Sequence, residues 1–237
     1  MTALRPVLPD RVSDAFFRDF VASRPDGEVW ELIDGQIVMQ AQPTFDHQII
    51  AGNLERLLND ALDRMGSDRI ALQNPAVDLS PVIVGSQYVP DVGVIDGAVE
   101  PGERTTPTCY LVAEIVSATD RKRGPGELRP RLDLKIETYR RLASCEAILV
   151  LEQERFSARV AIRTAAGWTD ESVDGAAEPL IIASAGLRCT LREVYARTSL
   201  MRAIGLPPTL EHDPLGLKQR LKAATRSLPL AGRVDSA

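Results

Sequence analysis

Cysteine is scarce in this chain of 237 residues, and the three present, Cys109, Cys145 and Cys189, have no paired spacing and lie in apolar surroundings. That excludes a disulfide framework and leads us to expect buried, reduced thiols and a cytoplasmic location. Long apolar runs are missing as well. No stretch approaches the roughly 18 uninterrupted apolar residues of a membrane span, and Met1-Thr2-Ala3-Leu4-Arg5-Pro6 lacks the apolar core of a signal peptide. We therefore expect a soluble protein without a membrane partner. Positive charge is not in excess either. Lysine and arginine number 28 against 33 aspartates and glutamates, for a net charge of -5. A surface coated in phosphate-binding lysines is thereby excluded, and any nucleic-acid role must rest on a local basic patch. With 44% apolar and 26% charged residues, the composition is that of a folded globular protein with one sizeable core.

Against this plain background two acidic residues stand out. Asp91 lies in Tyr88-Val89-Pro90-Asp91-Val92-Gly93-Val94-Ile95, and Glu114 lies in Tyr110-Leu111-Val112-Ala113-Glu114-Ile115-Val116-Ser117. Both segments read as strands. A carboxylate inside an apolar run is costly to bury unless a cation or strong donor compensates it. Two such residues on neighbouring strands can share one divalent ion, and their hard oxygens suit Mg²⁺ or Mn²⁺. A basic helical stretch holding Lys135 follows.

The surrounding pattern is α/β. Ser13-Asp14 starts a short helix carrying Phe16, Phe17, Phe20 and Val21, which Pro25-Asp26-Gly27 stops. Glu28 to Ile33, Asp34-Gly35 and Gln36 to Met39 form a hairpin signal, because Asp-Gly suits a type I′ turn. From Phe45 to Met65 the apolar residues Ile49, Ile50, Leu54, Leu57, Leu58, Ala61 and Leu62 recur at helical spacing, and Gly66-Ser67 closes the helix. Strand-like pieces follow at 69–80 and 87–95, then a polar loop from Gly97 to Pro107. The 109–117 segment reads as a central strand covered on both faces. A helix over Leu128 to Ala143 should turn Leu132, Ile136, Tyr139, Arg140 and Leu142 inward. Ala147 to Leu151 reads as a buried strand, Phe156 to Arg163 and Trp168 to Val173 as a terminal meander, and Arg192 to Tyr195 as helical. We expect a loose segment at 1–12, one domain at 13–197 and a tail at 198–237 with a short helical pattern near Leu217–Ala223. The architecture implied is a twisted mixed sheet, with the long first helix on one face and the 128–143 helix packed on or beside it.

Five ordered motifs carry a resemblance. They are Trp30-Glu31-Leu32-Ile33-Asp34-Gly35, a helix opening at His47, Pro90-Asp91-Val92, Ala113-Glu114-Ile115-Val116-Ser117-Ala118-Thr119, and Lys135-Ile136-Glu137-Thr138-Tyr139. Over roughly residues 13–197 this order resembles the Uma-type restriction endonuclease family of the PD-(D/E)XK nuclease superfamily. The resemblance implies a restriction-endonuclease-like core, a Mg²⁺-type (or Mn²⁺) site and hydrolysis of DNA phosphodiesters. By position, Asp91 would bridge the metal and Glu114 would be the second acidic ligand. The usual lysine two residues later is absent, since Val116 stands there, and Lys135 on the following helix takes its place. Glu31 matches the early glutamate of the family, as an additional ligand or an orienter of water. Members often carry an aspartate where this chain has Arg131, and a Ser-Pro-Ser-Thr run where it has Ser117-Ala118-Thr119. A homodimer is implied by analogy, since two active sites cut two strands of a roughly twofold duplex.

Substrate contacts are sought in His47 and in a basic run. Between residues 121 and 141 eight cations, including Arg121, Lys122, Arg123 and Arg131, face three acids, Glu127, Asp133 and Glu137. Such density beside two carboxylates suits a phosphate backbone; a solvated helix face is the plainer reading. His47 would touch substrate or position Glu31, or serve the fold alone. A triad of Ser117, His47 and an acid is disfavoured, because no glycine elbow surrounds Ser117. The competing functional class is a nuclease-fold protein without catalysis that binds DNA or another protein, motivated by Val116, Arg131 and the acidic net charge.

Overall fold

The computed structural model describes residues 11–25, 27–116 and 130–204. Helix α1 (Asp14–Ala22) is capped by Ser13, whose hydroxyl accepts from Phe16 N, and it buries Phe17 while Phe16 stays exposed. Strands β1 (Trp30–Ile33) and β2 (Gln36–Met39) pair antiparallel around Asp34-Gly35, whose φ angles of 50° and 77° are those of the type I′ turn. Helix α2 (Phe45–Met65) runs from a Thr44 cap to Gly66 in the left-handed conformation, over the span its periodicity predicts. There follow β3 (Arg69–Gln73), β4 (Ala76–Asp78), β5 (Gln87–Tyr88), β6 (Val92–Asp96), β7 (Thr105–Thr106) and β8 (Leu111–Val116). After α3 (Arg131–Arg141) come β9 (Ala147–Glu152), β10 (Ser157–Thr164), β11 (Gly167–Asp174), β12 (Pro179–Ile182), β13 (Leu187–Thr190), α4 (Leu191–Val194) and α5 (Ser199–Ala203).

Three sheets form rather than one. The largest has the order β11-β10-β9-β8-β6-β3, antiparallel throughout except for the parallel pair β8–β9, which α3 connects. A second has the order β2-β1-β5-β4-β7, and β12–β13 make a separate hairpin. The polar stretch after Gly97 thus contributes a two-residue strand, and the hairpin before α4 was not legible because Pro179–Ile182 and Leu187–Thr190 are short and bracket a single turn of 3₁₀ helix.

Alternation along β8 divides the interior. Leu111, Ala113 and Ile115 join Ile50, Leu54, Leu58 and Leu62 of α2 in the main core, which the β12–β13 hairpin, α4 and Met201 of α5 complete. Val112 packs with Tyr139, Leu142, Ile33 and Tyr88 on the opposite side, and Val116 with Leu132. Glu114, between Val112 and Val116 in this alternation, is thereby directed toward α3.

The helix α3 buries Leu132, Lys135, Thr138 and Tyr139, whereas Arg140 is only half-buried. Its C-terminal end is held by Arg163 of β10. That guanidinium donates from Nη2 to the carbonyls of Arg140 (2.8 Å) and Leu142 (2.7 Å) and from Nε to Cys145 O (2.6 Å), while it stacks on Trp168 at 4.7 Å. A cation at this end also meets the negative pole of the helix. Arg163→Ala is expected to cost about 2–3 kcal/mol in urea unfolding, since three charge-assisted hydrogen bonds are lost, although Trp168 Nε1 and Cys145 N still donate to the Arg140 and Leu142 carbonyls. Arg163→Lys should recover less than half of that, because one ammonium cannot span all three. A loss below 0.5 kcal/mol, roughly the scale of an ordinary surface substitution, would contradict this role.

Candidate active site

Three elements meet under α3. Glu31 comes from β1, Glu114 from the middle of β8 and Lys135 from the second turn of α3, and all three are buried, at 4%, 7% and 7% exposure. Lys135 Nζ lies 2.9 Å from Glu31 Oε1 and 2.8 Å from Glu114 Oε1. The main-chain amide of Val89 donates to the same Glu31 oxygen at 2.8 Å, and Tyr139 OH donates to the same Glu114 oxygen at 3.0 Å. Lys135 and Tyr139 are four residues apart and so share one helix face. Tyr139 is in turn set by an edge-on contact with Tyr88 at 5.6 Å, and the Tyr88 and Thr138 hydroxyls are 3.3 Å apart.

Asp91 enters from the next strand. The ladder pairs Val92 with Ala113, so one further step places Asp91 opposite Glu114 and on the same side of the sheet. Asp91 Oδ2 accepts from Ile115 N at 2.6 Å and lies 3.2 Å from His47 Nε2. His47 belongs to the first turn of α2, where Thr44 Oγ1 accepts from its main-chain amide. The Asp91 carbonyl accepts from Asn74 N at 3.1 Å, which fixes the strand on its other side.

Two carboxyl groups thus share one ammonium, with Asp91 acting on Glu114 from the next strand, and the charges do not balance. Burial pushes the Glu114 carboxyl up, Lys135 opposes this, and Asp91 and Glu31 add to it, leaving a value of about 7. Burial alone would push Lys135 down, but Glu114 and Glu31 outweigh it, so its proton is held more firmly than in water. Burial, and then Glu114, raise the Tyr139 hydroxyl well above its ordinary value, so it stays a donor. One cation cannot satisfy several buried acids, so the ammonium holds its proton while Glu114 ionises less readily than a free carboxyl.

Such an excess of buried negative charge is what a divalent cation would relieve. Among the described residues no group of three or more His, Cys, Asp or Glu side chains is spaced to hold an ion. A closed zinc-type cage is therefore a poor fit. Two carboxylates with hard oxygens fit Mg²⁺, which takes one or two carboxylates and fills its remaining positions with water and phosphate oxygens.

Comparison with known proteins bears on this arrangement. The profile of the Uma2 family, described as "Putative restriction endonuclease", matches residues 17–192. The chain belongs to the Uma2 family. Among solved structures, a crystal structure titled as a putative nuclease belonging to DUF820 from Anabaena variabilis ATCC 29413 has the same fold. Its TM-score is 0.58 at 12% identity, over 78% of this chain and 97% of that one. No curated protein matches the chain.

For this Uma2 member, the early glutamate, the Pro-Asp motif, the strand glutamate and the helix lysine, far apart in sequence, adjoin one another in space. Val116, in the slot where the superfamily usually has lysine, is buried against Leu132 and Val150, so an ammonium there would lack a partner. Arg131 is exposed on the first turn of α3. Arg121, Lys122, Arg123 and Ser117 lie outside the described residues. The part of Tyr139 was missed in the sequence, where its aromatic ring reads as core. The available signal was its spacing of four from Lys135. No helix among the described residues is long and apolar enough to cross a membrane.

Proposed function

We propose that this chain is a metal-dependent endonuclease that hydrolyses phosphodiester bonds of DNA. The observation that supports this reading best is the convergence of Lys135 on Glu31 and Glu114, with Asp91 one strand away. Asp91 and Glu114 would hold Mg²⁺ or Mn²⁺, which supplies Lewis-acid stabilisation of the phosphate charge and a more acidic water. Lys135, retaining its proton, offers fixed positive charge to the phosphate, while its hydrogen bonds set the planes of both glutamates. Glu31, held by Val89 N, would orient water beside Lys135. Tyr139 restrains Glu114 without ionising. Val116 does not count against activity on this reading, because Lys135 reaches the carboxylates from the helix.

DNA is the substrate proposed, with the cations around Arg131 for its backbone and a homodimer as the assembly that would cut both strands. Purified protein with 5–10 mM Mg²⁺ or Mn²⁺, about the excess a weak carboxylate site requires, should cut single- or double-stranded DNA. Glu114→Gln should lower the rate by at least about a hundredfold, or roughly 2.7 kcal/mol of barrier, with the far-UV spectrum unchanged. No cleavage of any DNA or RNA tested, alongside retained DNA binding, would instead assign the chain to the inactive, nucleic-acid-binding class.

A further inference from the structure

The acids of the site share a pattern in how they are held. Two donors converge on one oxygen of each: Val89 N and Lys135 on Glu31 Oε1, Lys135 and Tyr139 on Glu114 Oε1, Ile115 N and His47 on Asp91 Oδ2. A carboxylate gripped twice on one oxygen cannot turn freely about its last bond, so the direction of its other oxygen is set. For Asp91 one of the two grips is part of the sheet, the Ile115 amide. The other, His47, is a side chain from a different layer of the fold.

We infer that His47 is a positioning residue for Asp91, fixing the carboxylate so that Oδ1 is the oxygen offered to a divalent cation, and that it is not a contact to the substrate. The inference rests on the nuclease reading above. It assigns His47 a different partner from either contact expected from the sequence, Glu31 or substrate. The surroundings support it. The His47 and Asp91 side chains are only 17% and 13% exposed, which leaves little of the imidazole for a polymer to touch. The ring is carried on a turn that is itself anchored. Thr44 caps it, and the neighbouring Asp46 accepts from the main chain and the hydroxyl of Ser199 on α5. His47 therefore links the frame built by α2 and α5 to Asp91, in the manner of groups that orient a metal's carboxylate ligands and on which metal affinity depends.

Calorimetric titration with Mn²⁺ alone, followed by steady-state cleavage of a DNA duplex, separates the roles. His47→Ala should weaken Mn²⁺ binding about 10- to 100-fold and lower kcat, with KM for DNA within about twofold of the parent. His47→Gln, whose side-chain amide can donate to the same oxygen, should restore most of both. In an Asp91→Asn background His47→Ala should add almost nothing to the loss of Mn²⁺ affinity, because the pair acts as one unit. Mn²⁺ affinity unchanged in His47→Ala, or a rise confined to KM, would overturn the inference while leaving the nuclease reading intact. A parent protein that neither binds Mn²⁺ nor cleaves DNA would overturn both.

Discussion

Lys135→Met should destabilise the metal-free protein by about 3–5 kcal/mol at pH 8.5, the usual cost of removing one partner from a buried ion pair. Methionine fills nearly the same space, so the loss reports charge rather than a cavity. Its pH dependence identifies the cause. In the parent protein the Glu114 carboxyl lies at about 7 when folded, above its ordinary value of 4.5, because burial and the acids Asp91 and Glu31 outweigh Lys135. Between those values the folded state binds more protons than the unfolded one, so this group's contribution falls as pH rises through the window and is fully unfavourable above it. Lys135 acts oppositely. Its folded value is raised, so its contribution is present below the ordinary 10.5 and is lost only as pH climbs past the folded value. Without the ammonium Glu114 ionises less readily still, which carries the unfavourable window upward. The difference between Lys135→Met and the parent is therefore largest in mild alkali and shrinks toward pH 5, where Glu114 is protonated in both. Urea unfolding in EDTA at pH 5.5 and pH 8.5 measures it. Adding Glu31→Gln and Glu114→Gln to Lys135→Met should recover much of the loss at pH 8.5. A loss of less than 1 kcal/mol that is the same at both pH values would mean that the cluster is not the charged unit described.

Asp91→Asn should abolish metal-dependent cleavage, by about a thousandfold or more, equivalent to roughly 4 kcal/mol of barrier. The fold should survive it. An asparagine side chain presents an oxygen to Ile115 N as the aspartate does, and it loses only the negative charge. Mg²⁺ affinity should drop with the activity, because one hard anionic ligand of two is gone. In the cleavage assay, raising Mg²⁺ tenfold should not rescue the variant. Cleavage within tenfold of the parent would remove Asp91 from the reaction and leave its contacts with Ile115 and His47 as structural bonds of the sheet.

How much of this could be read beforehand differs between the elements and the site. Helix α2 was legible to the residue, because its period of apolar positions and the Gly66 stop agree. The β1–β2 hairpin was legible because only a few residue pairs suit its turn. The partition into three sheets was not, since β5 and β7 are two residues long and take their order from partners distant in the chain. Inward positions on α3 were misjudged for a related reason. Lys135 and Thr138 were not among the inward positions expected, yet Lys135 is buried because two carboxylates await it, and the buried Thr138 hydroxyl bonds to Leu134 O. Arg140, expected inside, instead pairs with Asp170 near the surface.

The chain by itself determined which chemical groups are available and the order in which they come: two acids in apolar strands, an earlier glutamate, a later lysine, and the family to which that order belongs. Local forces are enough for that, since turn type, capping and periodicity act over a few residues. Only the tertiary structure decided that Lys135 bridges Glu31 and Glu114, that Tyr139 shares the bridged oxygen, and that His47 turns to Asp91. Those contacts join residues 21 to 104 positions apart, as from Glu114 to Lys135 and from Glu31 to Lys135. Their formation depends on strand register and on burial strong enough to make a charged group seek a partner.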